Sequence, residues 1–401
     1  MSDEWVVGLD LGGTKLAAAV FRKESGGGLE LERALENRKY DVIFGAAARL
    51  SARAKSERIE AAMATAVREL AGAVPGPVAA VGVCSAGFIE NGVIVESYNT
   101  GMKNTPLRDR IRERTGIPAF LYKDSWAPVY ALRPSRPAMI FSVGTGFGGV
   151  SCEPDLSIRL RSYTAARKPI WVPFLYANDD PGYAVSFSTE LTAELIGRAL
   201  ARSDAGPLNS RPVAAGEQEI RNWALRLRDK AKKDKRLSPP PLQLRIAKMF
   251  AREAAERMPP GEVFADVPGA ATFPPLVYSW LTCGNITPPA LDSRLANNDP
   301  NAASAFHVQA EFIGYILFRM QKERIESGLP PAELVYATGS GYNTTTHPAL
   351  SQPIIAAVNH YCAAGGISGV AAERVEYLSV PGGERTTLAC FGAAMGAARG
   401  I

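Results

Sequence analysis

The chain has 401 residues, 46% hydrophobic and 21% charged, and its 45 basic against 40 acidic side chains leave a net charge of +5. That length supports two sizeable cores, and so small a basic excess argues against nucleic acid as a partner. The five cysteines (84, 152, 283, 362 and 390) and three histidines (307, 347 and 360) are scattered without C-x-x-C or metal-ligand spacing, so neither a disulfide framework nor zinc is expected. The opening MSDEWVVGLDL lacks a basic and apolar leader. No stretch approaches the ~18 apolar residues of a membrane helix. A cytoplasmic protein with no membrane partner is expected.

In chain order, residues 5–11 and 16–21 are apolar and rich in strand formers, with Gly12 and Gly13 between them, and read as a hairpin. Ile59, Ala62, Met63, Ala66, Val67 and Leu70 follow helical spacing. Residues 78–84, 119–122 and 139–143 are short apolar runs bounded by Gly, Pro or charge, and read as buried strands. Strands alternating with helices give an α/β fold. The middle mixes helical stretches (189–202 and 242–257) with a proline-rich break at 238–241, and the basic run 226–236 reads as a solvated helix face. Asp299 before Pro300 forms a helix start, Val308, Phe312, Ile313, Ile316 and Met320 an apolar stripe, and Gly328 with Pro330 a stop. Residues 334–337 read as a strand and 388–400 as an Ala/Gly-rich helix able to pack closely on a neighbour. The glycine turn after Asp10 is echoed by a second one after Val143.

Three glycine loops stand out. Residues 8–15 read GLDLGGTK. Adjacent glycines let backbone N–H groups approach an anion. Asp10, at the mouth of the hairpin, suits the hydration shell of Mg²⁺, and Thr14 and Lys15 add a hydroxyl and a charge. A plain Gly-Gly turn accounts for the same residues equally well. Residues 141–149 read FSVGTGFGG; so many glycines after a strand are costly unless something meets the backbone closely. Gly144, Gly146 and Gly149 spell G-x-G-x-x-G, yet VSCEP continues as strand, whereas a dinucleotide fold starts a helix there. No G-x-x-x-x-G-K-[ST] is present, which argues against a P-loop enzyme. Residues 337–343 read ATGSGYN, for which an ordinary strand-to-helix turn suffices.

Residues 8–15 resemble the first phosphate motif of the ROK family of sugar kinases and sugar-responsive repressors, part of the actin/hexokinase/Hsp70 superfamily. Residues 144–149 are similar to its second phosphate motif. Residues 99–107 (NTGMKNTPL) resemble the stretch after the family's sugar loop, with Asn104 where an Asn holds sugar hydroxyls. Thr115-Gly116-Ile117-Pro118 followed by Lys123-Asp124-Ser125-Trp126-Ala127 resembles G-[IL]-P-V…N-D-x-N-A-A and places Asp124 on the catalytic aspartate. Gly339, Ser340 and Gly341 fall at the superfamily's adenosine loop, and FGAA at 391–394 resembles the helix beyond it.

The resemblance implies a two-domain actin/hexokinase-like (ribonuclease H-like) α/β fold with a ligand cleft between domains. Residues 1–135 would form the first domain and 136–401 the second, with an insertion-rich segment near 151–298. It implies ATP-dependent phosphorylation of a hydroxyl on a sugar, aminosugar or cyclitol, with Asp124 as general base. ATP would be held by Asp10, Gly12, Gly13, Thr14, Lys15, Gly144, Thr145, Gly146, Gly148, Gly339, Ser340, Gly341 and Asn343, and Mg²⁺ by Asp10 through water. The acceptor would meet Ser85, Gly87, Asn104, Asp124 and Trp126. A homodimer is left open. The family's E-x-G-H segment and C-x-C-G-x-x-G-C zinc site are missing from residues 150–300, and Lys123 and Trp126 replace family Asn residues. The phosphate side reads as retained and the acceptor side as rebuilt. Lys123 reads as a solvated neighbour, and Trp126 as core or as a stacking face. Without the resemblance Asp124 would be a surface acid ending a strand. The alternatives are a catalytically silent sugar- or nucleotide-binding protein, and a repressor. The latter would carry a helix-turn-helix ahead of Gly8, where seven residues stand.

Overall fold

The computed structural model describes residues 4–12, 15–39, 51–97, 100–144, 147–154, 186–203, 217–233, 263–264, 269–339, 341–379 and 387–400. The chain forms two compact units, Met1–Pro134 with Leu378–Ile401, and Ser135–Tyr377.

In the first unit β1 (Trp5–Leu11), β2 (Lys15–Lys23) and β3 (Leu29–Lys39) form an antiparallel meander. Helix α1 (Ala52–Ala71) starts on Ser51, whose hydroxyl accepts from the Ala54 N–H. It returns the chain to β4 (Val78–Ser85), parallel to β1. A small separate sheet, β5 (Phe88–Glu90), β6 (Val93–Glu96) and β7 (Lys103–Thr105), follows. Then come α2 (Leu107–Thr115), β8 (Ala119–Lys123), parallel to β4, and α3 (Ala127–Leu132). The main sheet order is β3-β2-β1-β4-β8. Side chains alternate along a strand. Val7, Leu9 and Leu11 of β1 and Val81 and Val83 of β4 therefore meet Ile59, Met63 and Ala66 of α1 in one core. Gly8, Asp10, Gly82 and Cys84 fall on the opposite face.

The second unit opens on β9 (Ala138–Val143) and β10 (Phe147–Cys152), an antiparallel pair. It continues through β11 (Ser186–Phe187), α4 (Thr189–Ser203), α5 (Glu217–Lys233), β12 (Val263–Phe264), α6 (Phe273–Thr282), α7 (Pro288–Ala296), α8 (Pro300–Glu326), β13 (Leu334–Thr338), α9 (His347–Ala364) and β14 (Glu376–Tyr377). The sheet order is β10-β9-β13-β14, with β9 parallel to β13. The relation of β9, β10 and β13 repeats that of β1, β2 and β4, which gives the echo of glycine turns a structural form. Because β10 continues to Cys152, no helix starts at the second glycine loop. Helix α8 begins as its sequence dictates, with Asp299 accepting from the N–H groups of Asn301 and Ala302, and Val308, Phe312, Ile313 and Ile316 are fully buried. The Glu311 carboxylate, 3% exposed, is clamped by Arg198 at 3.0 Å, Arg202 at 3.2 Å and the Tyr361 hydroxyl at 2.5 Å, so its burial is matched by partners. The helix expected at 242–257, the break at 238–241 and the end of the basic run lie outside the described residues.

The final helix, α10 (Leu388–Arg399), forms where the sequence places it, but it groups with the first unit. Residues 378–401 cluster with the first unit, whereas a contiguous second domain 136–401 was expected. The reason is close packing on the glycine-bearing face of the first sheet. A Cβ at Gly8 would lie 2.2 Å from the Cys390 carbonyl oxygen, one at Gly82 1.9 Å from that of Ala393, and one at Gly392 1.8 Å from that of Ala127. Only backbone fits at these crossings. The side-chain-free strand positions and the Ala/Gly helix are one packing solution.

Candidate functional site

Parallel register brings the expected acceptor and metal residues of the first unit to one edge. Asp10 pairs with Cys84, Leu11 with Ser85, and Ser85 with Lys123. Asp10, Ser85 and Asp124 thus arrive together at the carboxyl ends of three parallel strands, the side of an open α/β sheet where ligands bind. The Asp124 N–H donates to the Ser85 carbonyl at 3.1 Å, and its Oδ1 accepts from the Ser125 N–H at 2.8 Å. The carboxylate is half-buried and its orientation is set by this local turn.

Asp10 is half-buried too. Its Oδ1 accepts from the Cys84 thiol at 3.4 Å and its Oδ2 from the Thr387 hydroxyl at 2.8 Å. Burial, reinforced by the charges of Asp10 and Asp124, pushes the Cys84 thiol well up, so it stands as a protonated donor.

Lys123 departs from expectation. It is 3% exposed, not solvated, and its Nζ donates to the Gly87 carbonyl at 3.3 Å. The parity of β8 explains this, since Lys123 shares its face with Ser85 and leans under the loop that follows β4. Gly87 has φ +117°, a conformation that requires glycine. Lys123→Ala is expected to cost about 2 kcal/mol, against less than about 0.5 for a solvated lysine, because the half-buried Gly87 carbonyl loses a donor and the space of a buried side chain is left empty. Urea unfolding measures the difference.

Asn104 is exposed within β7, with φ +47°. Trp126 is half-buried ahead of α3. Its indole N–H is shielded and has no hydrogen-bond partner among the described residues. Gly12 is half-buried after β1, and Lys15 opens β2. Gly13, Thr14, Thr145, Gly146 and Ser340 lie outside the described residues.

In the second unit the second and third glycine loops touch. They follow neighbouring parallel strands, with Ser142 opposite Thr338. The Gly341 N–H donates to the Val143 carbonyl at 2.9 Å, and the Ala271 N–H to the Gly144 carbonyl at 3.0 Å. Gly339, at φ +106°, lies so close that a Cβ would be 2.3 Å from the Val143 oxygen, and a Cβ at Gly341 would meet Ala271 and Val143 at 2.6 Å. At Gly144 a Cβ would meet nothing within 4 Å among the described residues. Gly148 sits in β10 opposite Ser142. The Asn343 side chain works locally: Oδ1 accepts from the N–H groups of Thr345 and Thr346 at 2.9 and 3.1 Å, and Nδ2 donates to Asp292 at 3.3 Å. This turn sets the start of α9.

Sequence reasoning did not single out Thr387, Cys84 or the segment 269–271. Thr387 carried a legible signal, a hydroxyl residue before an Ala/Gly-rich helix. Among the described residues no group of three or more His, Cys, Asp or Glu is placed to hold a metal, and no helix is long and apolar enough to cross a membrane.

Residues 6–152 match the ROK family. The ROK match covers the first two glycine loops and Asp124, and ends before α4. Three solved structures extend the likeness over the whole chain. The ROK hexokinase from Thermus thermophilus superposes with a TM-score of 0.56 at 16% identity, covering 98% of this chain and 97% of that one. Glucokinase from Balamuthia mandrillaris in complex with glucose gives 0.54 at 16% identity, covering 99% and 94%. A ROK family transcriptional regulator, homologous to the E. coli Mlc protein, gives 0.52 at 14% identity, covering 98% and 78%. At such identities the superpositions show the fold, the actin-like two-domain α/β architecture of ROK proteins. No curated protein matches the chain in sequence.

Proposed function

We propose that this protein is an ATP-dependent kinase that phosphorylates a hydroxyl of a sugar, aminosugar or cyclitol. The observation that carries the reading is the placement of Asp10 and Asp124, the two acids of the ROK-like motifs, on one edge of the sheet at the carboxyl ends of β1 and β8, on either side of β4.

Phosphoryl transfer asks a protein mainly for positioning and charge neutralisation. By their likeness to the ROK phosphate motifs, residues 12–15 and 144–148 are assigned to the phosphates of ATP, and residues 339–343 to its nucleoside. Asp124 accepts a hydrogen bond from the acceptor hydroxyl and takes its proton, the hydroxyl oxygen bonds to the γ-phosphorus, and the bond to the bridging oxygen breaks to release ADP. Ser125 N–H holds one carboxylate oxygen of Asp124, which leaves the aim of the other fixed. Asp10 suits Mg²⁺ held through water, because it is a hard oxygen donor at a strand end. Mg²⁺ bound there would neutralise charge on the phosphate oxygens. Ser85, Gly87, Asn104 and Trp126 supply the acceptor side, where Lys123 steadies the Gly87 loop.

Calorimetric titration with ATP and Mg²⁺, then with a panel of sugars, aminosugars and cyclitols, followed by an assay of ADP release, tests the reading. Binding of nucleotide with acceptor-dependent ADP release is expected. Binding of both without turnover would identify a silent binding protein instead.

A further inference from the structure

Asp10 is gripped at both oxygens by donors from two elements distant in sequence. Thr387 donates to Oδ2 from the start of α10, and Cys84 to Oδ1 from β4. Thr387 is at the same time the N-cap of α10, where its Oγ1 accepts from the Cys390 N–H at 3.0 Å. A hydroxyl has one proton and two lone pairs. With the amide N–H aimed at the oxygen, the single proton is left for Asp10, so the two bonds are compatible and polarise each other. The helix backbone sits directly on Gly8 and Gly82, and the Cys390 thiol donates to the Gly8 carbonyl at 3.1 Å, which anchors the start of α10 against the sheet. The positive end of α10 also favours the charge of Asp10.

We propose that Thr387, seconded by the weaker thiol donor of Cys84, is a positioning residue that fixes the Asp10 carboxylate for the water ligands of a divalent cation. The last helix of the chain would thus set the geometry of the first phosphate loop. This role rests on the kinase reading of Asp10 and adds to it a residue outside its motifs.

Three substitutions separate positioning from helix capping. Thr387→Ser keeps both bonds, Thr387→Val loses both, and Thr387→Gly loses the donor while leaving a serviceable cap, since glycine ranks close to threonine there. Each full-length variant is saturated with ADP and titrated with Mn²⁺ by electron paramagnetic resonance. Its urea midpoint and the Mg²⁺ concentration for half-maximal turnover are measured beside it. Loss of one hydrogen bond to a charged group should weaken Mn²⁺ by roughly tenfold in both the Val and Gly variants, with the Mg²⁺ requirement rising in step and the Ser variant restoring the parent value. Only the Val variant should lose much stability. Unchanged Mn²⁺ affinity in Thr387→Gly would overturn the positioning role and leave Thr387 a cap. Failure of the parent protein to bind Mn²⁺ with ADP would overturn the kinase reading and this role together.

Discussion

Asp124→Asn is expected to lower turnover at least about a hundredfold, the usual worth of a general base. The substitution keeps the size and the geometry, because the amide oxygen can still accept from the Ser125 N–H, while the Asp124 N–H to Ser85 bond is untouched. What disappears is the charge and the basicity. Nucleotide affinity should change little, since the phosphates are assigned to the glycine loops, and acceptor affinity should weaken modestly. The measurement is steady-state kinetics with calorimetry of ATP binding. Near-normal turnover would remove Asp124 from the chemistry and send the search for a base to residues 150–300.

Gly82→Val should produce the largest loss of stability. Its Cβ would lie 1.9 Å from the Ala393 carbonyl oxygen and 2.3 Å from the carbonyl carbon, and neither strand nor helix backbone can yield that distance locally. A cost of at least about 3 kcal/mol is expected, at the upper end of overpacking, read as a lower urea midpoint. Gly144→Ala is the counterpart. A Cβ there meets nothing within 4 Å among the described residues, so stability should hold while nucleotide affinity falls if the loop meets phosphate. Together the pair separates glycines retained for packing from glycines retained for a ligand.

That separation marks what the sequence could and could not show. The hairpin of β1 and β2, the strands β4, β8 and β9, and the Asp299-capped helix α8 follow from patterns of period 2 and 3.6 with local caps, and the structure has them. The site's two acids were legible through their motifs, and the parallel register then places Asp10 and Asp124 on one edge. Gly8 was read with the phosphate loop, yet its missing side chain makes room for Cys390; a glycine spells the same way whether a ligand or a helix backbone approaches it. Lys123 was read as a solvated neighbour of Asp124, and only the tertiary arrangement reveals the Gly87 carbonyl beside it. The tie from Thr387 to Asp10 spans 377 positions, and no local pattern encodes such a contact. The contacts of the Asn343 amide with Thr345, Thr346 and Asp292, which start α9, were likewise not legible from the loop's spelling.

The most direct test of the central claim is ³¹P NMR of the full-length protein with ATP, Mg²⁺ and each member of the acceptor panel. The account predicts that with one class of acceptor the γ-phosphate resonance decays while a phosphomonoester signal and ADP grow in equal amounts, and that with Asp124→Asn the same change is at least about a hundredfold slower. ATP that persists with every acceptor, or that yields only inorganic phosphate, would contradict it.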